Sequence, residues 1–204
     1  MRSSTTGRLI PLCLLVAIAM LAFAPSAPAA SGGACQLQGT ASFGSGLNTT
    51  AKPFDYSFHG VLSNCQSSVA GSPASGSVSA GEIYTDLGTG KQYQLPRAQG
   101  NGSCASSTTS GTAVAFWVDG TRTVVAYNTT GATAAVHLQG SVVASVAVPP
   151  VNPADPPLTL TTTRYGGNSA NGALVFEASP PECASETGVL AAGIEGTISL
   201  GTQN

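Results

Sequence analysis

The sequence predicts an all-β fold: a single antiparallel β-sandwich or barrel-like domain of about 8–10 strands, following a cleaved signal peptide. Three observations carry this. From Cys35 onward apolar and polar residues alternate with period two, and helical periodicity is almost absent. Clusters of Gly, Pro, Asn, Asp and Ser punctuate the alternating runs. Ahead of them lies a basic start, an apolar run and a small-residue stop, the layout of an export signal.

Arg2 and Arg8 supply the basic start, and residues 9–24 (LIPLCLLVAIAMLAFA) the apolar run. Ala27-Pro28-Ala29 then predicts cleavage after Ala29, so that residues 1–29 are signal peptide and residues 30–204 one secreted β domain. The run is ~16 residues long and interrupted by Pro11, short of the ~20 that a spanning helix needs. The mature form is therefore expected to carry no membrane span.

Downstream, CQLQGTASF (35–43) and FDYSFHGVLSNC (54–65) predict a hairpin in which Phe54, Tyr56 and Phe58 share one face. Residues 77–84 read as a weaker strand. Residues 85–101 (TDLGTGKQYQLPRAQGN) read as the loosest stretch, a candidate binding loop. Residues 111–119 and 121–128 read as strands joined at Asp119-Gly120, a strong hairpin signal because the turn demands a positive φ that Gly tolerates. Residues 134–148 form a long alternating run with Val136, Leu138, Val142, Ala144 and Val146 on one face. The proline-rich residues 148–157 read as a stiff loop within the domain, and residues 158–165, 173–178 and 193–200 as three further strands. An apolar–polar–Gly–small pattern recurs at Leu37–Thr40, Phe58–Val61, Leu138–Ser141 and Ile194–Thr197. Glycine in mid-strand predicts sharp coiling or close backbone approach at those points.

Of five cysteines, Cys13 leaves with the signal. Cys35, Cys65, Cys104 and Cys183 remain, an even set that predicts two disulfides in an oxidising compartment. Three pairings are possible. Cys35–Cys65 with Cys104–Cys183 is favoured, because the first two bracket the expected hairpin. In the loop-entropy model these links contribute ~3.7 and ~4.5 kcal/mol.

Charge is sparse. Without Arg2 and Arg8 the formal net charge moves from −2 to −4, and the five remaining cations are scattered. No basic patch is present to neutralise phosphates, which argues against a nucleic-acid partner. His59 and His137 both fall mid-strand, and no Gly-x-Ser-x-Gly elbow ties a serine to either. Glu177, Glu182, Glu186 and Glu195 gather late in the chain without a spacing that fixes a facing pair. No zinc, calcium, phosphate or dinucleotide motif occurs, so no cofactor and no metal are expected. No catalytic residue is assigned.

The aromatics are the candidate binding residues: Trp117, Tyr84, Tyr93 and Tyr165. Trp117 and Phe116 have opposite parity, so in a regular strand one of them faces outward. An outward Trp117 would stack on a sugar or grip a partner protein; filling the core is the favoured role.

Four stretches, FDYSFHGVLSNC (54–65), GNGSC (100–104), SGTAVAFWVDGTRTVVAYNTTG (110–131) and GIEGTISLG (193–201), resemble a group of uncharacterised secreted proteins of actinobacteria. The resemblance spans most of the mature chain and implies secretion and a β fold. It brings no activity and no site residues. The sequence thus points to a non-catalytic extracellular binding or structural module whose partner is a protein, a glycan or a cell-wall ligand. The alternatives are an extracellular hydrolase with a site assembled from distant residues, and a protease inhibitor displayed on residues 180–186.

Overall fold

The computed structural model describes residues 32–202. The expected signal peptide lies outside them. In chain order the strands are β1 (Gly33–Leu47), β2 (Lys52–Ser67), β3 (Gly76–Ala80), β4 (Ile83–Thr85), β5 (Gln92–Gln94), β6 (Ala98–Gly102) and β7 (Ser106–Trp117). They continue as β8 (Arg122–Ala132), β9 (Ala135–Val143), β10 (Ser145–Val148), β11 (Leu158–Thr161) and β12 (Asn168–Glu177). One helical turn, α1 (Pro180–Cys183), precedes β13 (Val189–Thr202).

Neighbours in the main sheet follow chain order, and β13 pairs back onto β1. The result is an up-and-down antiparallel barrel with eight strand positions. One position is shared: β3 pairs with the Phe58–Leu62 part of β2, and β6 with its Lys52–Tyr56 part, both against β7. The β1–β13 pairing decides between the sandwich and the barrel that the sequence left open, since closure removes both sheet edges.

The structure cuts two runs that the sequence reads whole and adds strands in a third segment, so there are more strand segments than the expected eight to ten. Residues 77–84 break at Gly81, whose φ of 68° turns the chain off the barrel. Residues 85–101 are not a loose loop: they hold β5 and β6. Residues 134–148 bend at Ala144, because Val146 and Val148 pack against β11 outside the barrel while Val136 and Leu138 stay inside it.

The two excursions form a pad on the outer face of β7 and β8. β4 pairs with β5 and β10 with β11. Backbone bonds from Gln94 to Pro149 and from Val151 to Gln92, both 2.9 Å, join the hairpins. Lys91 and Asp155 form an ion pair at 2.7 Å across the same seam. Beneath it Tyr93, Leu95, Val148 and Leu160 bury Val114 and Val124, giving a second core outside the barrel. Period two has put Val114 and Val124 outward and Ala113, Ala115 and Val125 inward.

Both disulfides join the expected partners. Cys35–Cys65 ties the start of β1 to the end of β2 at one barrel end. Cys104–Cys183 lies at the other end, linking the β6–β7 turn to α1. Asp119-Gly120 makes the expected turn, with Gly120 at φ 81°. Asp119 Oδ1 accepts the Thr121 backbone N–H at 3.0 Å, and its Oδ2 accepts Arg164 at 2.7 Å. No helix among the described residues is long and apolar enough to cross a membrane.

Candidate functional site: the barrel interior

Eight strands make a barrel that side chains can just fill or that can hold one small ligand. Which outcome follows depends on the sizes of the inward residues. Here bulky inward side chains are registered against glycine or alanine. Phe54 faces Gly100, Tyr127 faces Gly111 and Gly140, and Leu37 and Leu174 flank Gly196. Ala113 and Ala115 keep the middle of β7 small. The interior retains a cavity of about 160 Å³. Phe43, Phe58, Trp117, Leu138, Phe176 and Ile194 are among its walls, and none of its lining side chains is charged.

Among the lining residues, four hydroxyls form a hydrogen-bonded row in this largely apolar space. Tyr127 and Tyr56 share a hydrogen bond of 2.9 Å, Tyr56 and Thr109 one of 3.0 Å, and Thr109 and Thr129 one of 2.7 Å. The register explains the row, because Thr109 stands opposite Thr129 and Gly111 opposite Tyr127. A Cβ on Gly111 would lie 2.9 Å from the Tyr127 hydroxyl, so glycine gives that hydroxyl its place. Burial raises the pKa of Tyr56 above its ordinary value; the hydrogen bonds to Thr109 and Tyr127 oppose the shift. Burial raises Tyr127 well above it, with the neighbouring Tyr56 adding to the effect. Both phenols are neutral at physiological pH.

At the Cys35–Cys65 end, Trp117 is only 6 % exposed. Its Nε1 donates to Thr123 Oγ1 at 2.9 Å, and Thr123 donates on to the Arg164 carbonyl at 3.0 Å. The Tyr165 ring meets the indole edge-on, with centroids 5.7 Å apart.

Comparison with protein-family models, with curated proteins and with solved structures returns no match.

The aromatics singled out in the sequence separate into two groups. Trp117 and Tyr165 line the barrel cavity. Trp117 takes the favoured core-filling role, and Phe116 is the ring that faces out, stacked on the half-buried Tyr84 at 5.0 Å. Tyr93 is buried in the pad at 4 % exposure. These four residues do not make one exposed strip. The sequence reading gave no role to Tyr56, Tyr127, Thr109 or Thr129. The available signal was parity: Tyr56 shares a face with Phe54 and Phe58, and a phenol on a core face needs a hydrogen-bonding partner.

A groove outside the barrel, lined by His59, Ser79, Glu82, Tyr84 and Arg122 among others, separates the pad from β2 and β3. His59 Nδ1 and Ser79 Oγ lie 3.0 Å apart as cross-strand neighbours. His59 is exposed, and among the described residues no carboxylate bonds to it. His137 is exposed on β9. Glu177, Glu182, Glu186 and Glu195 are all exposed. Among the described residues no three His, Cys, Asp or Glu side chains converge as metal ligands would.

Proposed function

We propose that this chain is an extracellular binding protein that holds a small apolar molecule inside its barrel. One observation carries the reading: an uncharged, largely apolar cavity inside a closed eight-position barrel. Its volume of about 160 Å³ is close to the ~150 Å³ at which an apolar protein cavity takes up benzene. Two disulfides, one at each end, fit an oxidising environment and hold the barrel ends in place. The amino-terminal export layout supports secretion. This reading narrows the partner from protein, glycan or cell wall to a small molecule, because the convergent aromatics point inward.

The test is calorimetric titration of the purified protein with toluene. Saturable binding at one site per chain is expected. Ala113→Leu and Ala115→Leu, which fill the space from β7, should remove it while the protein stays folded by circular dichroism. A folded wild-type protein that takes up no toluene, or variants that bind it unchanged, would overturn the proposal.

A further inference from the structure

We infer that the barrel selects a neutral, single-ring molecule bearing one hydroxyl, a phenol-like ligand whose oxygen docks on the row Tyr127–Tyr56–Thr109–Thr129. The inference rests on the barrel-binding reading above and adds the chemical class of the ligand.

Size comes first. A space of about 160 Å³ accommodates a molecule with the bulk of one six-membered ring and small substituents. Charge comes second. No charged side chain lines the cavity, so an ionised carboxylate or ammonium would enter without a counter-ion and lose its hydration. The polar features supply the third restriction. Each of the four hydroxyls carries one proton, and the three hydrogen bonds among them use three. One proton is left over, together with acceptor lone pairs at the ends of the row, Tyr127 and Thr129. A ligand hydroxyl fits either end, accepting the spare proton at one or donating its own at the other. A hydrocarbon leaves the spare proton unanswered, and a carbonyl satisfies only the donor.

Toluene, p-cresol and p-toluate share one frame and differ by hydrogen, hydroxyl and carboxylate, so calorimetry with the three isolates each term. In the wild-type protein p-cresol should bind at least as tightly as toluene, and p-toluate should not bind. Of Tyr127→Phe and Thr129→Val, each close in shape to the residue replaced, the one that removes the end holding the ligand oxygen should weaken p-cresol roughly tenfold, and both should leave toluene within about twofold. Toluene binding in each variant also shows that the barrel is intact. If toluene binds and p-cresol ignores both substitutions, the hydroxyl assignment fails while the barrel reading stands. If p-toluate binds as well as p-cresol, neutrality fails. If none of the three binds to the folded protein, both readings fall together.

Discussion

Gly39 of β1 stands directly opposite Gly60 of β2, and the ring of Phe58 covers both. A Cβ on Gly39 would lie 2.7 Å from the Gly60 Cα and 2.7 Å from the Phe58 ring. A Cβ on Gly60 would lie 2.8 Å from the same ring. The absent side chains let two strands coil tightly while an aromatic ring seals the gap. Gly39→Ala should destabilise the protein by about 1–3 kcal/mol, since backbone as well as ring must shift. Urea unfolding followed by circular dichroism measures it. An unchanged midpoint would show that the strands have room the geometry denies.

The two disulfides close loops of different length, with separations of 30 for Cys35–Cys65 and 79 for Cys104–Cys183. Replacing each pair by serine should cost ~3.7 and ~4.5 kcal/mol respectively, the longer loop having more unfolded-state freedom to recover. The ordering is the useful readout. If loss of Cys35–Cys65 proves the more damaging, local packing around Leu37 and Leu62 outweighs loop entropy.

Trp117 is the chain's single tryptophan, and its indole lies against the cavity with its N–H committed to Thr123. Its emission should be blue-shifted relative to free tryptophan and resist acrylamide. Thr123→Val should cost about 1–3 kcal/mol, because a buried indole N–H loses its acceptor. Red-shifted, readily quenched emission from the folded protein would place the ring in water, contrary to its burial.

Alternation was enough to read the barrel strands other than β6, which falls in residues read as a loose loop, because an inside–outside wall imposes period two on the strands that form it. It could not reveal closure, which depends on β13 meeting β1 from the far end of the chain, with pairs such as Cys35 opposite Ile198. The glycine echo marked real close approaches at Gly39, Gly60, Gly140 and Gly196. Parity misled at residues 134–148, where Val142 and Val146 share a sequence face. The bend at Ala144 sends them to different places, and local pattern carries no information about a change of surface. The hydroxyl row joins β2, β7 and β8, so it exists only once register is set.

The pad on the outer face makes residues 85–101 and 144–167 part of the folded unit. Leu95 and Leu160 are fully buried between it and the barrel wall. Leu95→Ala and Leu160→Ala should each cost about 2–5 kcal/mol, as deletions in a close-packed core do. Cooperative unfolding with a single transition is expected in both variants. A change below about 0.5 kcal/mol, the range of ordinary surface substitutions, would mean that the hairpins are loose appendages.

The buried phenols fix the direction of the alkaline response. Burial holds Tyr127 well above, and Tyr56 above, the value of 10.0 that a free phenol shows. In the unfolded chain both ionise near pH 10, whereas in the barrel both keep their protons to higher pH. Above pH 10 the folded state therefore binds more protons than the unfolded state, and stability falls as pH rises. Below pH 10 both states are protonated, and the contribution is fully present. Urea midpoints of the wild type should decline steeply between about pH 10 and 11. A Tyr56→Phe/Tyr127→Phe double variant, lower in stability at neutral pH through its lost hydrogen bonds, should decline less over the same interval. Parallel declines in the two proteins would show that the phenols of the row are reached by solvent in the folded state.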